Sequence, residues 1–177
     1  PHSGILSGSV EIYTLQNAEW VFDTKIVADD ASQLDRFGHA ICLGDSILVV
    51  GAPNYGDLGG NGKGIHSGAV YIFELSESGW NQTQQLIPDD LSNNYNFGFA
   101  VDIHQNYIAI GALYSSGNIT DNSGAVYIYK KENDTWIPDG PKIFPLDGQN
   151  GDRFGYSLSL SKSDKWYLLV GAYKNNN

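Results

Sequence analysis

Apolar and polar positions alternate with a period of two along most of the chain, and the alternating runs recur about every sixty residues. In FGHAICL (37–43), FGFAVDI (97–103) and FGYSLSL (154–160) large side chains such as Ile41 and Leu43 take every second place, with small ones such as Ala40 and Cys42 between them. This is the pattern of a β-strand with one bulky face. SILVVGA (46–52), NYIAIGA (106–112) and KWYLLVGA (165–172) are nearly continuous apolar runs, as expected of a strand covered on both faces. A third pattern reads SGSVEIY at 7–13, SGAVYIF at 67–73 and SGAVYIY at 123–129. In its second copy Val70 and Ile72 point one way and Tyr71 and Phe73 the other, again apolar on both sides. A fourth run starts at Trp20, Trp80 and Trp136 and ends in an apolar pair ahead of Asp29-Asp30, Asp89-Asp90 and Asp147.

These runs, lettered A to D, predict four antiparallel strands per unit and an all-β fold. Gly51, Gly111 and Gly171 are each 60 residues apart, and Phe37, Phe97 and Phe154 keep nearly the same step. A fixed period of this size means that each unit buries its apolar faces against its neighbours. Four-stranded units that are apolar on both faces suit the blades of a β-propeller. The glycines of Phe-Gly and Gly-Ala are expected where backbones of neighbouring blades crowd, with each preceding Phe as an apolar wedge.

Phe37-Gly38 followed by Gly51-Ala52-Pro53 resembles the FG-GAP repeat, the unit of the seven-bladed propeller of integrin α-chains and related surface proteins. Leu113 and Tyr173 stand where the first copy has Pro53. In strand letters the chain reads as a C-D half-blade (1–30), a blade (37–88), a second blade (97–145) and an A-B half-blade (154–173). That is a partial ring, since closed propellers need about 4–8 blades. The expectation is a segment of a longer propeller, its partners being the remaining blades of the same chain. The alternative is another copy, one chain's A-B pair completing the next chain's C-D pair.

The net charge of −10 argues against nucleic acid and against an anionic membrane surface. No apolar run reaches the roughly 18 residues of a membrane span. Cys42 is the only cysteine, so no internal disulfide forms. His2, His39, His66 and His104 show no metal-ligand spacing, and His39 fills the slot of Phe99 and Tyr156. Many FG-GAP propellers carry acidic calcium loops between strands A and B. Here those turns are Gly44-Asp45-Ser46, His104-Gln105-Asn106 and Ser161 to Lys165, too short and too poor in acids for such a loop. The chain therefore resembles the calcium-loop-lacking branch, and no metal or other cofactor is expected.

Other candidates reduce to turns or supports. Asp57, Asn61, Asp121 and Asn122 in the B–C loops could lend oxygens to a weak metal site, but the pattern is that of ordinary turns. The run Gly59 to Gly64 lacks the Ser or Thr and the following helix of a phosphate loop. Asp102 shares the column of Cys42 and Ser159 and is expected to be solvated. Asp29-Asp30 and Asp89-Asp90 recur once per unit, which suggests that they fix the D-to-A connection by accepting from nearby backbone amides rather than catalyse. No nucleophile elbow or catalytic constellation is visible, so no enzyme is expected.

The resemblance implies a non-enzymatic extracellular or cell-surface recognition and adhesion module. It would bind a protein or glycan ligand through the D–A and B–C loops, which share one face. In this sequence Tyr55, Asp57, Tyr95, Tyr114 and Asp121 fall in those loops. The tyrosines either anchor a ligand or cover blade junctions. Asn81, Asn118 and Asn133 head N-x-Ser/Thr sequons and are candidate glycosylation sites. The other readings are a structural block of an extracellular fibre or coat, and an accessory propeller of a larger enzyme.

Overall fold

The computed structural model describes residues 5–56, 65–116 and 122–175. Among the described residues twelve strands form four antiparallel sheets. The first sheet pairs β1 (Val10–Gln16) with β2 (Glu19–Ile26). The second orders β3 (Ala40–Gly44), β4 (Ile47–Ala52), β5 (Ala69–Ser76) and β6 (Gly79–Leu86) as a meander. The third repeats it with β7 (Phe97–His104), β8 (Tyr107–Ala112), β9 (Ala125–Glu132) and β10 (Thr135–Pro138). The fourth pairs β11 (Phe154–Lys162) with β12 (Trp166–Ala172). The sheets are successive blades of a partial propeller, numbered here one to four.

The alternation in the sequence divides each central strand between two cores. On β5, Ala69, Tyr71 and Phe73 join Val10, Ile26 and Phe37 in the cluster between blades one and two. Val70 and Ile72 of the same strand join Val49, Ile108, Ile110, Tyr127 and Trp136 in the cluster between blades two and three. Burying a side chain of this size stabilises by about 1.5–3 kcal/mol, so the interfaces between sheets hold the array together. Phe37 packs edge-on to Tyr71 and Phe73, and Phe97 to Tyr127 and Tyr129.

Where blades meet, the backbones nearly touch. A Cβ on Gly51 would lie 2.0 Å from the Gly98 carbonyl oxygen, and one on Gly111 2.1 Å from that of Gly155. The Gly-Ala glycine of each blade thus abuts the Phe-Gly glycine of the next. Single parallel bridges Gly8↔Phe37, Gly68↔Phe97 and Gly124↔Phe154 join adjacent blades at the start of strand A.

One bulky face is bare, and two expectations need correction. Ile41 and Leu43 are 57% and 63% exposed, because the two-stranded first blade has nothing opposite β3. Ile103 and Leu160, the counterparts of Leu43, are buried, and Val101 and Leu158, those of Ile41, are half-buried. The fourth strand of blade three does not run on to Phe144. Pro138 and Pro141 lack an N–H and Gly140 is left-handed (φ 79°), so the chain leaves the sheet after Pro138. It rejoins at Ile143, which exchanges two backbone hydrogen bonds with Val126.

Asp102 is not simply solvated. It accepts from the Cys42 thiol of blade two (3.0 Å), from its neighbour's Ile103 N–H (3.0 Å) and from the Leu160 N–H of blade four. Burial and the Asp102 carboxylate push the Cys42 thiol up to about 11.

Candidate functional site

The D–A and B–C loops lie together because each zips onto the next in one repeated pattern. Asn94 and Asn96 donate backbone N–H groups to the carbonyls of Ile65 and His66. Leu34 and Arg36 do the same to Ile5 and Leu6, and Gly151 to Asn122. Asn54 N–H donates to the Asp35 carbonyl, Tyr114 to Tyr95 and Lys174 to Asp152. To fit, residues at the same place in each unit take left-handed backbone: Arg36 (φ 59°), Asn96 (φ 52°) and Arg153 (φ 60°) precede the three Phe-Gly pairs. Asparagine tolerates this conformation better than most residues. Asn96 also caps the junction, its Nδ2 donating to the Pro53 carbonyl at 3.0 Å.

Asp30 organises the junction beneath. Its carboxylate accepts from the Tyr55 hydroxyl (2.7 Å), the Tyr71 hydroxyl (2.8 Å) and Gln85 Nε2 (2.9 Å). Asp90 repeats the arrangement one blade on, accepting from Tyr127 (3.1 Å) and pairing with Lys142 (2.8 Å). The expected acceptance of local backbone amides is not what these residues do. That part falls to Asp35 and Asp152, both buried, which accept from the Ser32 and Gln149 N–H groups at 2.7 Å. Burial raises the Tyr55 hydroxyl to about 12, and the Asp30 carboxylate adds to the effect. Burial, with Asp30 beside Tyr71 and Asp90 beside Tyr127, drives these two hydroxyls further in the same direction.

Of the tyrosines singled out in the sequence, Tyr55 is 7% exposed and committed to Asp30, so it supports the loops and offers no face to a ligand. Tyr95 is half-buried under Lys142, whose ammonium lies 5.5 Å from its ring centre. Tyr114 is half-buried at the surface, with the Arg153 guanidinium 5.2 Å from its ring. Asp57, Asn61, Asp121, Asn118, His2 and the run Gly59 to Gly64 lie outside the described residues. Asn81 and Asn133 are exposed in β-hairpins. The Asn81 amide nitrogen donates to Ser76 Oγ, Ser78 Oγ and the Gly79 carbonyl. His39 packs on Phe99 with the rings tilted by 55° and their centres 4.5 Å apart. Among the described residues no three His, Cys, Asp or Glu side chains converge to hold a metal ion.

The loop face carries a polar cleft of about 480 Å³ lined by Arg36, Asn54, His66, Asn94, Asn96, Tyr114 and Asn122. Only Tyr114 of these was singled out as a ligand contact from the sequence. The signal for the others was their place in or at the ends of the D–A and B–C loops. What the sequence did not show is that loops from successive blades bring these ends to one cleft.

The family model described as FG-GAP repeat matches residues 20–73, 80–129 and 140–177. No curated protein matches the chain.

Proposed function

Because the chain belongs to the FG-GAP repeat family, we propose that it is a non-enzymatic recognition module that works outside the cell or at its surface, binding protein or glycan partners through the D–A and B–C loop face. FG-GAP repeats typically occur in extracellular or surface proteins. The observation that carries the reading is the polar cleft on this face. It sits on backbone fixed by inter-blade hydrogen bonds, and rigid scaffolds with polar loop clefts suit recognition. The test is binding of the purified chain to cultured cells and to immobilised glycans, beside variants Arg36→Gln and Tyr114→Ala that keep the native circular dichroism. Loss of binding in both variants supports the reading. Undiminished binding in both places the ligand elsewhere.

A second observation favours further blades as partners. Trp20 and Trp136 hold the same place in the repeat, yet Trp20 is 71% exposed and Trp136 is 2% exposed. Tyr13, Leu15 and Phe22 are exposed beside Trp20, on the face that in blades two and three packs against the preceding blade. The occupant proposed for this face is another propeller blade, of the same chain or of a second copy. Native mass measurement tells the two apart. Ordered filaments in electron micrographs would instead favour a fibre or coat.

A further inference from the structure

The loop-face cleft also has a definite chemistry. The chain contains two arginines, Arg36 and Arg153, both immediately before Phe-Gly and both in left-handed backbone. The equivalent Asn96 is what that geometry suits, and its amide is used to cap the loops. Among the described residues the Arg36 side chain makes no such capping bond, so its left-handed backbone has no matching local return. Residues held in such conformations cluster at ligand sites. Arg153 is engaged, its Nη1 donating to the Tyr173 hydroxyl at 2.6 Å. Arg36 is exposed, and among the described residues no carboxylate pairs with it.

Around Arg36 the cleft is lined by Asn54, Asn122 and Tyr114, with His66 and Asn94 beside them. Each carboxamide offers donors and an acceptor side by side, which matches neighbouring hydroxyls on a sugar ring. The guanidinium fork matches one carboxylate. A volume of about 480 Å³ is of the size that holds a small ligand. The net charge of −10 works against a partner with many negative charges, so one carboxylate is the limit the chemistry favours. An acidic peptide is the poorer fit. The loop N–H groups of Asn54, Asn96 and Tyr114 are already spent on neighbouring loops and are not available to a peptide backbone.

We propose that this cleft binds a saccharide residue carrying a single carboxylate, with Arg36 taking the carboxylate and Asn54 and Asn122 the ring hydroxyls. The proposal rests on the loop face being the recognition face and adds the class of ligand.

The test titrates the whole chain with glucuronic acid, glucose and the peptide Gly-Asp-Gly by ligand-observed NMR, beside Arg36→Gln and Asn122→Ala. Arg36 and Asn122 are both exposed, so the variants should fold; circular dichroism checks this. Glucuronic acid should bind saturably and about tenfold more tightly than glucose. Arg36→Gln should remove that preference, and Asn122→Ala should weaken both sugars several-fold. Equal binding of the two sugars, tighter binding of the peptide, no saturable glucuronic acid binding, or an unchanged preference in Arg36→Gln would each overturn the proposal. The glycan and cell-binding assay above separates the two levels. If Arg36→Gln and Tyr114→Ala abolish binding there while glucuronic acid is ignored, the ligand class is wrong and the recognition face stands.

Discussion

Gly51→Ala probes the junction between blades two and three at one atom. The residue lies in β4 and is not among the left-handed glycines, so alanine introduces no backbone strain. Elsewhere in an ordered segment this exchange stabilises by roughly 0.4–1 kcal/mol through the unfolded chain. Here the added carbon would sit 2.0 Å from the Gly98 carbonyl oxygen. An ordinary carbon-to-oxygen contact needs about 3.3 Å, so the blades must part by roughly 1.3 Å at that point. Gly98 belongs to β7, and a strand backbone cannot swing away as a side chain can. A radial gap of about 0.5–1 Å already forfeits a quarter to a half of the dispersion well between facing atoms. The facing atoms are Val49, Val70 and Ile72 on one side and Ile108, Ile110 and Phe97 on the other. The expected loss is about 3 kcal/mol, the upper end of the usual overpacking range. Urea denaturation followed by tryptophan fluorescence reads it as a fall in midpoint, and thermal unfolding as a drop of roughly 6–12 °C. Gly79→Ala is the control, since that glycine has φ 98° and nothing within 4 Å. It should cost only the left-handed penalty of about 1–2 kcal/mol. A Gly51→Ala protein losing less than about 1 kcal/mol, or less than Gly79→Ala, would show that the blades do not abut here.

Three further expectations follow from the same contacts. Tyr71→Phe removes one hydroxyl from Asp30 but leaves Tyr55 and Gln85 in place, so it should cost about 1.5–3 kcal/mol in urea, with little change in slope. Stability should fall as pH rises through 10 towards 12. Unfolded tyrosines release protons near 10, whereas Tyr55 holds its proton to about 12 and Tyr71 and Tyr127 are raised further, so alkali favours the unfolded chain; a urea midpoint that stays level from pH 9 to 11.5 would contradict this. Native Cys42, its thiol raised to about 11, should react with iodoacetamide at pH 8 at least tenfold more slowly than in 8 M urea, and Asp102→Asn should narrow that gap; equal rates in the folded and unfolded chain would show that burial and Asp102 do not hold the thiol.

The period of two, the sixty-residue repeat and the recurrent Phe-Gly and Gly-Ala pairs were enough to read strands, blades and family, because local patterning and periodicity are properties of the chain alone. The direction of a side chain out of the sheet also follows from register, so Tyr71 and Val70 could be assigned to opposite faces. Which hydroxyl meets which carboxylate could not be read in this way. Tyr55 and Tyr114 occupy similar loops in the sequence, yet one is locked to Asp30 beneath the surface and the other lines an open cleft. Asp102 resembles Cys42 and Ser159 by column, yet it alone spans three blades. Those differences arise from the rotation and separation of one sheet against the next. They are set by the sum of many apolar contacts, and by two pairs of glycines that let backbones touch, rather than by any short stretch of residues. The sequence therefore determined the strands and their faces, and packing between blades alone decided which loop ends line one cleft.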